Sequence, residues 1–185
     1  MVRLRALHTD ELNLLSAEEH ARLADIPHAL RARQFAAARL LLRQILGQVL
    51  DQDPGSVPLR NTPKGPTLEG WHLSVSHSEQ WVAAACGLEP LGVDIEAQRP
   101  TEEAMQRVCA RPELLRLTPE HYIATWTRKE ALAKALGRAM GGWLRDWDVR
   151  GNAAVDWQWE TRMVGRAVCS LATTRGRAAQ WLFYE

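Results

Sequence analysis

The sequence predicts an α+β protein of two lobes, each with helices packed on a small, mostly antiparallel sheet. Three observations favour this class: a long helical pattern over residues 28–50, short strand-like segments over 71–96, and a second helix followed by alternating segments after residue 100. The order of helices and then sheet therefore occurs twice. We expect one lobe over residues 1–97 and a second over 98–185.

The first lobe begins with helix signals and continues into strands. Ser16-Ala17-Glu18-Glu19 is a capping box, and apolar residues at three- and four-residue steps indicate one helix from 28 to 50. A loop rich in Pro, Gly, Asn and Asp follows. Residues 71–76, 81–87 and 91–96 are then predicted to form an antiparallel meander, because the connections between them are as short as hairpin turns.

The second lobe repeats this order. A helical region is expected from residue 101 to about 117, and Thr118-Pro119 marks the start of another helix that ends at Gly141-Gly142. The tail alternates apolar and polar residues as far as 180–184, which predicts three or four strands. Four tryptophans of this half are expected in the core and the sheet: Trp143, Trp147, Trp157 and Trp159.

Composition excludes several classes of protein. The net charge of +1 gives no whole-molecule attraction to nucleic acid or to a membrane. Three unevenly spaced cysteines exclude a disulfide scaffold and favour a reducing compartment. The sequence shows neither a secretory signal nor an apolar run of bilayer length, so a cytoplasmic globular protein is expected.

Asp94 and Glu96 are the first candidate functional residues. In a strand, residues two apart face the same side, so both carboxylates point away from Val93 and Ile95. Neighbouring carboxylates repel each other unless a cation or protons intervene, and Mg²⁺ prefers such oxygen ligands. The ordinary alternative is an edge strand with a solvated acidic face.

Glu130 and Lys134 share one helix face at a spacing of four residues. They form either a surface ion pair, worth about 0.3–0.5 kcal/mol, or a third metal carboxylate with an ammonium group placed for phosphate. Lysine is rare among the 23 basic residues, which makes Lys134 notable. Arginine cannot replace lysine where a compact ammonium group is needed.

Other polar positions could contact an anion. Ser76-His77-Ser78 lies at the end of a predicted strand, where it either caps a turn or presents an imidazole and hydroxyls to a ligand. Lys64 lies between two prolines in a stiff loop or a plain surface turn. Four arginines lie along the long helix: Arg31, Arg33, Arg39 and Arg43. Arg39 and Arg43 share one helix face, where a nearby anion would relieve their repulsion, although for Arg33 and Arg43 a solvated helix face is the preferred interpretation.

Taken in order, these features resemble the 4′-phosphopantetheinyl transferase superfamily of the Sfp type. The resemblance runs from about residue 31 to 149, and its most specific parts are Ser76-His77-Ser78, Gly92–Glu96 and Trp126–Lys134. It implies two pseudo-symmetric lobes with the active site in the cleft between them. It also implies transfer of phosphopantetheine from coenzyme A to a serine of an apo acyl or peptidyl carrier protein, with release of adenosine 3′,5′-bisphosphate.

The resemblance implies a metal site and its chemistry. Asp94, Glu96 and Glu130 would hold Mg²⁺, with Mn²⁺ as an alternative, and Lys134 would contact the pyrophosphate. Asp94, Glu130 and Lys134 are thereby the catalytic candidates. The serine proton would pass to Glu130, directly or through a metal-bound water, and a metal-bound hydroxide is the alternative base.

The resemblance also implies the contacts of coenzyme A. His77 would bind the 3′-phosphate with Ser76 beside it, while Arg39 and Lys64 would bind the nucleotide or its phosphates and Arg31 a further phosphate.

The resemblance implies a carrier partner as well. The carrier, a small acidic helical domain, would dock on Arg107, Arg111 and Arg116. Separately, Glu113 stands where the family often has a further acidic residue. A monomer without nucleic-acid or membrane partners is expected. A catalytically silent coenzyme A-binding module and a magnesium-dependent phosphohydrolase remain the alternatives.

Overall fold

A computed structural model of the chain describes residues 2–3, 9–63, 65–151, 156–177 and 179–180. The strands in these residues are β1 (Val2–Arg3), β2 (Arg60–Thr62), β3 (Gly65–Thr67), β4 (His72–Ser78), β5 (Trp81–Gly87), β6 (Leu91–Glu96), β7 (Trp157–Val164) and β8 (Ala167–Thr174). The helices are α1 (Thr9–Leu12), α2 (Ala17–Ala24), α3 (Ala29–Leu50), α4 (Glu102–Val108), α5 (Arg111–Leu114) and α6 (Pro119–Ala135), with 3₁₀ turns at Pro54–Ser56 and Gly142–Asp146.

Two long helices each pack on a three-stranded antiparallel sheet. Helix α3 packs on the sheet β1-β5-β4, and α6 packs on the sheet β6-β8-β7. This arrangement confirms the α+β class that the sequence predicts. Among the helices of the described segments, none combines the length and the apolar character that crossing a bilayer requires.

The first half follows the sequence signals closely. Ser16 accepts a hydrogen bond from the Glu19 amide while the Glu19 side chain accepts one from the Ser16 amide, so the capping box is confirmed. Helix α3 spans 22 residues, as its apolar spacing predicts. Strands β4 and β5 form a hairpin with His72 opposite Gly87 and Ser78 opposite Trp81. The core beneath α3 includes Leu41, Leu42, Leu46, Val57 and Val82.

Strand β6 does not complete the predicted meander. It pairs antiparallel with β8, with Leu91 opposite Thr173 and Glu96 opposite Val168, instead of extending the β4–β5 hairpin. The prediction of a three-stranded meander was therefore wrong. Val93 and Ile95 share one apolar cluster with residues of β8 and also with Trp81 and Ala83 of β5, so β6 packs against the hairpin but pairs with β8. The lobe boundary at residue 97 stays a prediction. It assigns β6 to the first lobe, although β6 belongs to the sheet β6-β8-β7.

The second half differs from expectation in three places. Helix α6 ends at Ala135, before the predicted stop at Gly141-Gly142. The helical region predicted over 101–117 is two short helices, α4 and α5, separated at Cys109-Ala110. The described part of the tail contains two strands, β7 and β8, and most of the stretch 180–184 lies outside the described residues. The four tryptophans pack in or against the core, as predicted. Helix α6 begins after Thr118 with Pro119 in its first turn, also as predicted.

Arg43 is buried, which corrects the prediction of a solvated residue. Its side chain is about 2% exposed, and its guanidinium donates to Glu19 at 2.8 and 3.0 Å and to the carbonyl of Val57 at 3.0 Å. It thereby joins α2, α3 and the 3₁₀ turn. Arg33, by contrast, is exposed as expected.

Gly92 sets the distance between β6 and α6. A Cβ atom at this position would lie 2.0 Å from the Ala131 carbonyl oxygen and 2.6 Å from the Ala135 amide nitrogen. Both are backbone atoms, so they can move only if the helix moves. A glycine inside a strand often marks such a close approach.

We therefore expect Gly92→Ala to destabilise the fold by about 1–3 kcal/mol, the usual cost of overpacking a core. Urea denaturation followed by circular dichroism would measure it. Gly142→Ala is the matched control, since a Cβ atom there meets nothing within 4 Å. Equal stability of the two variants would contradict the proposed contact.

Candidate active site

Four predicted site residues from three elements come together in the structure. Strand β4 supplies Ser76, β6 supplies Asp94, and α6 supplies Glu130 and Lys134. Strands β4 and β6 lie side by side, and α6 crosses β6 at Gly92. Residues distant in sequence are thereby placed within hydrogen-bonding reach of one another.

Asp94 is the centre of this group. Its Oδ1 atom accepts hydrogen bonds from the Ser76 hydroxyl at 2.7 Å and from the Lys134 ammonium at 2.8 Å. The same ammonium donates to the Ser76 hydroxyl at 2.9 Å and to the Val93 carbonyl at 3.1 Å. Asp94 is 3% exposed, so the alternative of a solvated acidic strand is excluded for it.

Asp94 and Glu130 form a carboxyl pair. Burial, together with the Asp94 carboxylate, raises the pKa of Glu130 to about 7, and a protonated Glu130 donates a hydrogen bond to Asp94. Burial also raises the pKa of Asp94, although Lys134 and Ser76 favour its charged form. The Lys134 ammonium lies 3.9 Å from Glu130, farther than from Asp94, so it neutralises the charge of Glu130 only weakly. The pair therefore has excess negative charge that a proton or a cation can relieve.

Glu96 lies beside the pair but faces another set of donors. Its Oε1 atom accepts hydrogen bonds from the Ser78 hydroxyl and from the amides of Ala97 at 2.9 Å and Gln98 at 3.0 Å. Its negative charge still acts on Glu130. The Oε1 atom of Glu96 is therefore occupied by these donors, and none of the described hydrogen bonds joins Glu96 to Asp94 or Glu130.

These carboxylates fit a divalent cation in part. Within the segments that the structure describes, no three His, Cys, Asp or Glu side chains lie close enough to hold a metal ion. Asp94 and Glu130 are in contact, however, and Mg²⁺ is usually bound by one or two carboxylates together with substrate phosphates. The two-carboxylate pair fits such an ion, and the full set with Glu96 stays a prediction.

His77 and Arg31 form a second group near the first. The Arg31 guanidinium contacts the His77 ring nitrogens at 2.6 and 3.0 Å. Burial, followed by the charge of Arg31, lowers the pKa of His77, and Lys134 and Asp94 also influence it. The imidazole is therefore held neutral beside an exposed arginine, an arrangement that offers hydrogen bonds and positive charge to an anion.

Arg39 belongs to neither group. The Nε atom of Arg39 donates to Asn61 at 2.9 Å and lies 3.7 Å from Glu19, and the residue is 7% exposed. Lys64 lies outside the described residues. Their predicted roles in nucleotide binding stay predictions.

Glu113 has a partner that the sequence analysis did not foresee. It pairs with Lys129 at 2.8 Å, and the Lys129 ammonium also donates to the carbonyls of Leu144, at 2.8 Å, and Trp147. Lys129 is completely buried. The pair holds α6 against α5 and the following 3₁₀ turn. The scarcity of lysine in this chain was the only sequence signal that could have found it.

Comparison with known proteins bears on this site directly. Residues 90–177 match the family model of the 4′-phosphopantetheinyl transferase superfamily. This segment contains β6 and α6, and with them Asp94, Glu96, Glu130 and Lys134. This segment of the chain is therefore similar to members of the 4′-phosphopantetheinyl transferase superfamily.

Individual relatives carry the same family name. The chain is 32% identical to the 4′-phosphopantetheinyl transferase HetI of a Nostoc strain, over 66% of this chain and 60% of HetI. It is 25% identical to a Bacillus subtilis 4′-phosphopantetheinyl transferase over 74% of this chain and 66% of the relative. For the transferase Sfp of Bacillus subtilis, identity is 23% over 75% and 67%. The matched region therefore spans about two thirds of the length of these superfamily members.

Proposed function

We propose that this chain transfers the 4′-phosphopantetheine group of coenzyme A to a serine of an apo acyl or peptidyl carrier protein. Adenosine 3′,5′-bisphosphate would be the second product, and Mg²⁺ the required ion. The observation that supports this most is the Asp94–Glu130 carboxyl pair, with the Lys134 ammonium bound to Asp94, in a chain that is similar to this superfamily over residues 90–177. Names of the relatives supply the reaction class.

The carboxyl pair would hold the ion. Asp94 and Glu130 would ligate Mg²⁺, with Glu96 beside them, and the ion when bound would add positive charge to the diphosphate of coenzyme A. Lys134 would donate to a diphosphate oxygen. Its side chain is about 31% exposed although it also binds Asp94, which supports this role. Phosphoryl transfer depends mainly on such positioning and charge neutralisation.

Proton removal would fall to Glu130. The carrier serine oxygen would form a bond to the phosphorus that bears the pantetheine arm, and the bond from that phosphorus to the adenosine bisphosphate oxygen would break. The proton of the serine hydroxyl would pass to the Glu130 carboxylate. A general base works best with a pKa near the operating pH. Burial raises the pKa of Glu130 to about 7 in the ion-free site, and a bound cation would lower it again.

The remaining predicted residues have proposed places around this centre. Arg31 and His77 would bind the 3′-phosphate of coenzyme A, with Ser76 beside them. The carrier would dock on a basic surface of α4 and α5 and the turn that follows, where three arginines are exposed: Arg107, Arg111 and Arg116.

A panel of apo carrier proteins tests the proposal. Incubated with coenzyme A and Mg²⁺, at least one carrier is expected to gain the mass of one phosphopantetheine group, and a chelator is expected to abolish the gain. Intact-mass spectrometry of the carriers measures both results. Release of adenosine bisphosphate without a mass gain would indicate a phosphohydrolase instead, and binding of coenzyme A without turnover would indicate a silent binding module.

A further inference from the structure

Gln34 is a buried polar residue of α3 that has no place in the reaction described so far. It is 4% exposed, and a buried amide is costly unless its two ends form hydrogen bonds. Its Oε1 atom accepts one from the Nη1 atom of Arg31 at 3.2 Å, and its Nε2 atom donates one to the Glu79 carbonyl at 2.8 Å. The Gln34 side chain therefore joins Arg31 to the turn between β4 and β5.

The turn that Gln34 holds follows closely after His77. Glu79 has a φ angle of 48°, in the left-handed region that residues other than glycine adopt at a cost. Besides the bond from Gln34 to its carbonyl, Glu79 accepts hydrogen bonds at its carboxylate from Gln98 at 2.9 Å and from Arg166. Of these three partners, only Gln34 also bonds, in the described part of the chain, to the arginine beside His77.

Gln34 and His77 together occupy one nitrogen of the Arg31 guanidinium. The hydrogen bonds that the structure describes for this side chain, to Gln34 at 3.2 Å and to the His77 ring nitrogens at 3.0 and 2.6 Å, all use Nη1. None of them uses the N–H groups of Nε and Nη2. Since Arg31 is exposed, and a guanidinium binds phosphate through two parallel N–H groups, the Nε–Nη2 edge fits a phosphate.

We propose that Gln34 is a positioning residue for the 3′-phosphate of coenzyme A, acting through Arg31. Its Oε1 atom holds Nη1 beside His77, so that the Nε–Nη2 edge of the guanidinium is kept for two hydrogen bonds to the phosphate. This inference rests on the proposed function, because it needs coenzyme A to bind with that phosphate at Arg31 and His77. An arginine held in this way loses less side-chain freedom when the ligand binds.

Binding of coenzyme A and of its 3′-dephospho form provides the test. Isothermal titration calorimetry without a carrier protein gives both dissociation constants, and their ratio measures the preference for the 3′-phosphate. We expect Gln34→Met, which keeps the length of the side chain but not its hydrogen bonds, to weaken binding of coenzyme A about 10-fold. Affinity for the dephospho form should stay within about twofold of the original. Equal weakening for both ligands would overturn the proposal, because a merely structural role would produce it.

Gln98→Met is the matched control. It removes an amide that bonds to the Glu79 carboxylate but, in the described hydrogen bonds, to neither Arg31 nor His77. The preference for coenzyme A over the dephospho form is therefore expected to stay within about twofold of the original. A loss of preference equal to that of Gln34→Met would overturn the proposal, because it would show that loosening the turn is enough.

Two further variants test whether Gln34 acts through Arg31. If it does, Arg31→Ala/Gln34→Met has the same preference for coenzyme A as Arg31→Ala alone, and fully additive losses would overturn the proposal. Gln34→Asn covers the case in which Gln34→Met folds poorly. It keeps an amide but is one methylene shorter, so it cannot bond to both Arg31 and Glu79, and the preference should fall again. An unchanged preference in Gln34→Asn would overturn the role of Gln34.

The original protein separates the two levels of inference. If it binds coenzyme A more tightly than the dephospho form and Gln34→Met keeps this preference, the role of Gln34 alone is overturned. Equal affinity of the original protein for the two forms would overturn the phosphate site at Arg31 and His77, and the role of Gln34 with it, while carrier modification would still support transfer. Absence of any binding of coenzyme A would overturn the proposed function itself.

Discussion

Asp94→Asn is expected to reduce transfer of phosphopantetheine about 10²–10³-fold, the loss typical when one electrostatic contact to a transition state is removed. The reason is that Asp94 has two tasks: it would ligate the ion, and its Oδ1 atom holds both Lys134 and Ser76. Asparagine keeps the shape of the side chain but lacks the negative charge. Initial rates of carrier modification, followed by intact mass, measure the effect.

Stability should change little in this variant. Asp94 is buried next to Glu130, and burial raises the pKa of both groups, so removing one charge relieves repulsion while it removes the ion pair with Lys134. Glu160→Gln, which changes a half-exposed carboxylate on β7, is the control and should transfer at the original rate. A folded Asp94→Asn protein with full activity would refute the assignment of the active site.

Lys129→Met is expected to destabilise the fold by about 3–5 kcal/mol, the usual cost of removing one partner of a buried ion pair. Lys129 is completely buried, and without its ammonium the Glu113 carboxylate would be left in the core with no cation. The carbonyls of Leu144 and Trp147 would also lose their donor. Urea denaturation monitored by tryptophan fluorescence gives the free energy of unfolding.

Two further variants identify the cause of this loss. Lys129→Met/Glu113→Leu replaces both charges with apolar groups and should recover a large part of the stability, because no unpaired buried charge remains. Arg150→Met removes one partner of a half-exposed pair with Asp148 and should cost at most about 1 kcal/mol. If the double variant were less stable than Lys129→Met, the unpaired charge of Glu113 would not be the cause.

The buried pair also bears on catalysis. Lys129 and Glu130 are neighbours on α6 and face different surroundings, one toward the core and the other toward Asp94. Adjacent residues of α6 therefore fix the helix to the core, through Lys129, and supply a reactive carboxyl group, that of Glu130. A helix so anchored keeps Glu130 at a constant distance from β6, which positioning of reacting groups requires.

Local signals in the sequence located most of the helices and strands, but they did not bring the site residues together. The capping box at Ser16 and the Thr118-Pro119 start located helix ends, because caps depend on neighbouring residues alone. Alternating residues located β4, β5 and β6. The expected closeness of Asp94, Glu130 and Lys134 came from the family resemblance, and the structure places them together.

Tertiary structure decided which elements are partners and which charges are buried. Strand β6 pairs with β8, about 75 residues away, because partner choice depends on matching apolar faces and not on short connections. Arg43 and Lys129 are buried although nothing near them in the sequence differs from a solvated helix face, since only the distant residues Glu19 and Glu113 make their burial tolerable. The sequence by itself thus determined the elements and their reactive groups, and the packing of distant segments decided which of those groups meet.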